Sequence, residues 1–123
     1  MEERTFFRLG ALFALLGVAL GAFGAHVLRD TLGPADMATF ETGVRYQIWH
    51  ALGLLVVART VARWPRGAVT AAGWLFVVGI LVFSGSLYTL VLSGQPWVGA
   101  ITPVGGVCFL AGWGLLAWSA GRP

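Results

Sequence analysis

Charged and reactive side chains are scarce in this sequence. Only 11% of its 123 residues are charged, lysine and asparagine are absent, and there is a single cysteine. This is too little charge to cover the surface of a soluble domain of this size, which excludes that class of protein. Cys108 has no partner for an intramolecular disulfide, and we expect it to be a small buried hydrophobe in the last helix. Lysine and asparagine both use A-rich codons, so their absence is typical of a GC-rich bacterial genome.

Apolar stretches take up most of the chain instead. Hydrophobic residues make up 58% of the sequence, and its mean hydropathy is +0.82. Apolar runs of about 20 residues, long enough to cross the hydrocarbon core of a bilayer, occur in each of four predicted helices. A bilayer core offers no water to backbone groups, so each run must be helical. The sequence therefore predicts an all-α polytopic membrane protein, a single domain built as a four-transmembrane-helix bundle, with helices at about 7–28, 34–63, 68–92 and 97–118.

The arginines indicate how this bundle is oriented. Six of them fall on one side of a four-span arrangement: Arg4, Arg8, Arg59, Arg63, Arg66 and Arg122. Arg29 and Arg45 fall on the other side. Because basic residues are enriched in cytoplasmic segments, we expect both termini to be cytoplasmic, in a bacterial cytoplasmic (inner) membrane. The net charge of +3 does not indicate nucleic-acid binding, because the arginines form no single basic stripe. The expected partner is the lipid bilayer, with a homo-oligomer or a larger membrane complex as further alternatives.

Glycine and proline predict local features of the helices. Small residues recur in the first helix at Ala14, Gly17, Gly21 and Gly24. Such a track lets a neighbouring helix approach closely. Gly33 and Pro34 suit the N-cap and the first position of the second helix. Pro103 lies about two turns inside the last predicted helix and should kink it.

Polar side chains that fall within the spans are expected to form one cluster. Residues 41–50 are the densest stretch, and Tyr46 and His50 share a helix face there at i, i+4. Counting 1.5 Å per residue from the outer surface puts all the polar in-membrane groups in the outer half, at most about 15 Å deep. The predicted cluster consists of His26, Glu41, Arg45, Tyr46, His50, Ser84, Tyr88 and Thr102. Within it we expect Glu41 to pair with Arg45, because an arginine in a helix mouth needs a partner.

Four sequence blocks carry a resemblance to a known family. They are GAFGAH at residues 21–26, ETGVRYQIWH at 41–50, FSGSLY at 83–88 and GAITPVGG at 99–106. In this order they resemble the YgdD-like family of small membrane proteins (DUF423), which also includes the eukaryotic transmembrane protein 256. The resemblance covers nearly the whole chain. It implies a four-helix inner-membrane protein, with no established activity, substrate or catalytic residue.

Two classes of function remain open for the polar cluster. In the first, the protein is a structural or accessory (scaffold) membrane subunit, and the cluster is a buried network that fixes helix packing. In the second, an outward-facing cleft lined by the cluster binds or transports a lipid, a quinone or a small polar solute, and a pore would require an oligomer.

Catalytic and cofactor-binding patterns are absent from the sequence. It contains no Gly-x-Ser-x-Gly elbow, no His-x-x-x-His pair and no paired carboxylates, so we expect neither enzyme activity nor catalytic residues. A haem held between His26 and His50 is disfavoured, because their depths differ by about 5–8 Å. We expect no cofactor and no metal.

Overall fold

Five α-helices make up most of the part of the chain that the structure describes. The computed structural model describes residues 1–64 and 67–120. The helices are α1 (Glu2–His26), α2 (Pro34–Arg63), α3 (Gly67–Gly79), α4 (Gly85–Ser93) and α5 (Thr102–Ala120). A π-helical segment, Ile80–Ser84, joins α3 to α4, and short 3-10 segments occur at Leu28–Asp30 and Pro96–Ala100. Within the described residues the protein is therefore all-α, as predicted.

The helices form an antiparallel bundle with two distinct ends. Gly24 of α1 lies against Phe40 of α2, whereas Gly10 lies against Ala51, so these two helices run in opposite directions. Gly43 and Gly53 of α2 face Tyr88 and Phe76 in the same antiparallel way. The connections at residues 27–33 and 94–95 therefore share one end, which we call the loop end. The chain start and residue 120 lie at the opposite, terminal end.

Three helical stretches are long and apolar enough to cross a membrane, judged by length and composition. They are Glu2–His26, Gly67–Ser93 and Pro96–Ala120. The second stretch contains α3, the π-helical segment and α4. The remaining predicted span, α2, is not among these three stretches. The polar residues Arg45, Gln47 and His50 interrupt its apolar sequence and lower its hydropathy.

Close contact between α1 and α2 depends on glycines of α1. Gly10, Gly17 and Gly24 are buried and recur every seven residues. A Cβ atom on Gly17 would lie 2.7 Å from Cγ1 of Ile48, and one on Gly24 would lie 2.7 Å from Cε1 of Phe40. The close packing predicted from the small residues of this helix is confirmed, and it extends one step further, to Gly10.

The larger of two buried apolar clusters lies in the half of the bundle nearer the terminal end, and a smaller one of Leu28, Phe40 and Val91 lies near the loop end. Phe6, Leu54, Val57 and Phe76 are fully buried in the larger cluster, and Phe109 packs on the same cluster. Burial of this many large side chains orders α1, α2, α3 and α5 around a common centre.

Two prolines begin helices, and one of them corrects a prediction. Gly33 caps α2 with an extended backbone, and Pro34 is its first residue, as predicted. Pro103 does not kink a continuous last helix. The helix predicted for residues 97–118 is divided into the 3-10 segment Pro96–Ala100 and α5, and Pro103 occupies the first turn of α5. Proline lacks a backbone N–H group, and the N–H groups in the first turn of a helix have no acceptor within that helix. Proline is therefore tolerated at this position.

The π-helical segment Ile80–Ser84 makes the closest backbone contact with α5. At its end the Gly85 N–H bonds to the carbonyl of Ile80, one residue further back than in an α-helix. A Cβ atom on Gly105 would lie 2.5 Å from the backbone nitrogen of Phe83. Glycine at residue 105 is therefore a condition for this packing.

The structure tests the prediction for the single cysteine but not those for two of the arginines. Cys108 lies in α5, as predicted, and is only partly buried. Arg66 and Arg122, which contribute to the predicted orientation, lie outside the described residues.

Gly105→Ala should lower the free energy of unfolding by about 1–3 kcal/mol, the usual cost of overpacking, because the new methyl group meets backbone. Gly114→Ala is the matched control, since Gly114 lies in the same helix and a Cβ atom there would meet no neighbouring part of the structure within 4 Å. Unfolding of both variants in detergent, followed by circular dichroism, measures the difference. Equal stability of the two variants would contradict the close contact between α5 and the π-helical segment.

Candidate functional site

A buried glutamine, Gln47 of α2, connects three helices. Its Nε2 donates a hydrogen bond to the backbone carbonyl of Phe13 in α1, at 2.9 Å. Its Oε1 accepts one from the hydroxyl of Tyr88 in α4, at 2.7 Å. Because a carbonyl can only accept, the bond to Phe13 fixes which end of the amide is nitrogen and leaves the oxygen for Tyr88. The side chain of Gln47 thus sets the positions of α1 and α4 relative to α2.

A second contact joins α2 to the π-helical segment one turn away. The Ser84 hydroxyl donates to the carbonyl of Gly43 at 2.7 Å, and Ser84 is almost completely buried. A Cβ atom on Gly43 would lie 2.7 Å from Cε1 of Tyr88. The absence of a side chain at Gly43 therefore gives the Tyr88 ring room to reach Gln47.

A third contact joins α4 to α5 through two hydroxyl groups. Ser86 Oγ donates to the carbonyl of Phe83 at 2.9 Å. It also lies 2.5 Å from Oγ1 of Thr102, the first residue of α5. Since the single hydroxyl proton of Ser86 is used for Phe83, Thr102 must be the donor to Ser86.

His50 of α2 hydrogen-bonds to α5 in one defined protonation form. Trp113 Nε1 approaches His50 Nε2 at 3.0 Å, and an indole nitrogen can only donate. Nε2 must therefore be unprotonated, so the proton is on Nδ1, which lies 2.8 Å from the carbonyl of Tyr46. The hydrogen bonds assign the imidazole as the neutral Nδ1–H tautomer.

An aromatic groove surrounds His50 on the side of the bundle between α2 and α5. Its rings belong to Tyr46, Trp49, His50, Phe83, Phe109 and Trp113, and its volume is about 480 Å³. The imidazole stacks on Phe109, with 3.5 Å between ring centroids and 11° between planes. The Tyr46 hydroxyl makes no hydrogen bond within residues 1–64 and 67–120.

The eight predicted cluster residues do not form one site. His50, Ser84, Tyr88 and Thr102 make the hydrogen bonds between helices described above. We call the hydrogen bonds between helices that these four residues form with Gly43, Gln47, Ser86 and Trp113, together with the bond from Gln47 to Phe13, the network. Tyr46 lines the aromatic groove. His26, Glu41 and Arg45 are exposed near the loop end and take no part in the hydrogen bonds of the network.

The expected ion pair between Glu41 and Arg45 is absent from the part of the chain that the structure describes. Both side chains are exposed, where solvation competes with pairing and an ion pair gains little free energy. Arg45 likewise donates no hydrogen bond to a backbone carbonyl among these residues.

Sequence reasoning left the central residue out of the cluster. Gln47 is 3% exposed and makes two of the hydrogen bonds between helices. Its partner Phe13 contributes only a backbone carbonyl, which no sequence pattern marks. Trp113 and Ser86 were also missed. One signal was available, because an amide within an apolar helix needs hydrogen-bond partners and usually faces other helices.

Metal ligands do not converge in the described residues. No group of three or more His, Cys, Asp or Glu side chains there is arranged to hold a metal ion. The two histidines also do not share a site. His26 is exposed at the end of α1, and both ring nitrogens of His50 are already hydrogen-bonded.

Comparisons with known proteins show similarity to membrane proteins of bacteria. The family model described as "Protein of unknown function (DUF423)" matches residues 20–106, which contain all four sequence blocks. The chain is 47% identical to the UPF0382 membrane protein YwdK of Bacillus subtilis over 118 residues, covering 95% of this chain and 96% of YwdK. It is 41% identical to the UPF0382 inner membrane protein YgdD of Escherichia coli strain K12 over 122 residues, covering 99% of this chain and 93% of YgdD. No solved structure matches the chain.

Gln47→Leu should lower the free energy of unfolding by about 1–2 kcal/mol, because it removes two hydrogen bonds between helices that average ~0.6 kcal/mol each and leaves the Tyr88 hydroxyl unpaired. Tyr88→Phe should be destabilising in the wild-type protein and nearly neutral in the Gln47→Leu background. Thr89→Val is the control, because this exposed hydroxyl bonds only within its own helix. A Tyr88→Phe cost that is the same in both backgrounds would show that the two side chains are not coupled.

Proposed function

Because this chain belongs to the DUF423 family of membrane proteins, whose function is unknown, we propose its role from its geometry. It is a structural or accessory subunit of the bacterial cytoplasmic (inner) membrane. It forms a single domain of four membrane-spanning helices, with both termini in the cytoplasm. Its buried polar side chains serve to hold the helices in one arrangement.

One observation carries the structural role. Among the described residues, no buried side-chain nitrogen or oxygen lacks a hydrogen-bond partner. A path for a polar solute would instead present such groups to the solute, as intramembrane polar residues of transporters do. Here the polar groups of Gln47, Ser84 and His50 are hydrogen-bonded to neighbouring helices.

The four-span arrangement is supported by the length of α2 and by the burial of its polar side chains. Its 30 residues correspond to a length of about 45 Å, more than the thickness of a hydrocarbon core. Gln47 and His50, which lower its hydropathy, are buried against α1, α4 and α5 and do not face lipid. The surface that α2 presents to the membrane includes Trp49, Leu52 and Val56.

The orientation is supported by the distribution of arginine. Arg4, Arg8, Arg59 and Arg63 lie toward the terminal end, whereas Arg29 and Arg45 lie toward the loop end. The positive-inside rule then assigns the terminal end to the cytoplasm.

A second candidate function is supported by the aromatic groove. Its volume of about 480 Å³ falls within the usual range of ligand pockets, about 300–1,000 Å³. It opens sideways, where lipid would surround the bundle, and it carries the Tyr46 hydroxyl as a polar group. A quinone or another membrane-soluble ring compound fits this combination of stacking surfaces and one hydrogen-bonding group.

Reporter fusions test the four-span arrangement and its orientation. Alkaline phosphatase, which is active only outside the cytoplasm, should be inactive when fused after Pro123 and active when fused after Gly94. A green fluorescent protein at the same two positions should give the opposite pattern. An active phosphatase after Pro123 would overturn the proposed orientation.

Tyr46→Phe separates the two candidate functions. If the protein is structural, this change should alter the free energy of unfolding by less than about 0.5 kcal/mol, because the lost hydroxyl has no partner in the described residues. Mass spectrometry of the purified wild type should then find no stoichiometric quinone or similar ring compound. A quinone or similar compound that is present in the wild type and lost in Tyr46→Phe would favour the ligand-binding function. Tyr88→Phe, which breaks the network without touching the groove, is the matched control.

A further inference from the structure

A small cleft between α1 and α2 lies near the loop end, apart from the network and the aromatic groove. Its volume is about 200 Å³. Gly21 and Ala25 of α1 form one wall, and Met37, Phe40 and Val44 of α2 provide an apolar floor. The cleft is therefore apolar along most of its surface.

Two opposite charges line this cleft without neutralising each other. Glu41 and Arg45 are both exposed and both belong to its lining. Neither makes a hydrogen bond or an ion pair with any residue in the described ranges. They lie one helical turn apart, about 6 Å along the axis of α2. The cleft thus has an apolar floor with one anion and one cation at its edge, and its net charge is zero.

The order of the charges along α2 matches that of a zwitterionic lipid headgroup. Glu41 is nearer the loop end, and Arg45 is one turn deeper. In a bilayer leaflet the phosphate of such a lipid lies deeper than its terminal amine. A guanidinium binds phosphate oxygens in a bidentate manner, and a carboxylate accepts hydrogen bonds from a primary ammonium.

We propose that this cleft binds a phospholipid with an ethanolamine headgroup. Arg45 binds the phosphate, and Glu41 accepts hydrogen bonds from the ammonium group. A choline headgroup has no N–H to donate to Glu41. A glycerol headgroup has no positive charge for Glu41 to bind. The proposal needs the loop end to reach a membrane surface, but it does not depend on the accessory role.

Lipid binding to the full-length protein tests this site. Purified protein in detergent is titrated with phosphatidylethanolamine, phosphatidylcholine and phosphatidylglycerol of identical acyl chains, and bound lipid is counted by native mass spectrometry. We expect phosphatidylethanolamine to bind about tenfold more tightly than the other two, the value of one charge-assisted hydrogen bond. Equal affinity for the three lipids would overturn the proposal.

Two charge-neutralising variants assign the roles of the side chains. Arg45→Gln should weaken binding of all three lipids, because each has a phosphate. Glu41→Gln should remove the preference for phosphatidylethanolamine over phosphatidylcholine and leave binding of phosphatidylglycerol unchanged or stronger. Arg29→Gln, an exposed arginine outside the cleft, should change nothing. Equal effects of Arg29→Gln and Arg45→Gln would reduce the site to non-specific attraction and refute the proposal.

These outcomes are independent of the fold and of the proposed role. Glu41 and Arg45 are exposed and make no hydrogen bond or ion pair among the described residues, so both variants should unfold like the wild type. The lipid preference of the wild type remains a test even if a variant is unstable. The reporter fusions identify the separate case in which the loop end does not reach a membrane surface.

Discussion

The amide of Gln47 is the interaction on which the arrangement of the helices depends. In an apolar surrounding, a buried amide without partners is costly, so the helices must be placed where each end of the group is satisfied. One end reaches the backbone of Phe13 in α1, and the other reaches the hydroxyl of Tyr88 in α4. A shift of one turn in any of the three helices would break at least one of these bonds. Apolar packing alone would tolerate several such shifts, and the hydrogen bonds select among them.

Glycine makes these polar contacts geometrically accessible. Gly17 brings α1 close to Ile48 and Gln47, and Gly43 leaves room for the ring of Tyr88. On the other side of the bundle, Gly105 admits the backbone of the π-helical segment, whose last residue, Ser84, bonds to the Gly43 carbonyl. Hydrogen bonds and small residues therefore act together, because a side chain can hydrogen-bond to a neighbouring helix only where the two backbones approach closely.

The polar residues fall into three environments with different chemical capacities. Those of the network are buried and mutually satisfied, and they contribute to structure. The aromatic groove has one satisfied imidazole, His50, and one hydroxyl, Tyr46, that makes no hydrogen bond among the described residues. The cleft near the loop end is lined by two opposite charges, Glu41 and Arg45. A single outward-facing polar site would combine these features, whereas the folded chain keeps them on different faces.

The sequence by itself determined the class of protein, the helices and several packing features. Scarce charge and long apolar runs indicate membrane helices, Gly33 and Pro34 mark the start of α2, and the glycines of α1 mark its contact face. The tertiary structure decided which side chains meet. Helical periodicity gives the face on which Gln47 or His50 lies, but the neighbour of that face depends on the rotation and shift of another helix. For the same reason no local pattern identified the Phe13 carbonyl as the partner of Gln47 or the Trp113 indole as the partner of His50. Nor did any local pattern show that Glu41 and Arg45 form no ion pair. These pairings result from the packing of the whole bundle, because many apolar arrangements are nearly equal in energy until buried polar groups and glycine contacts distinguish them.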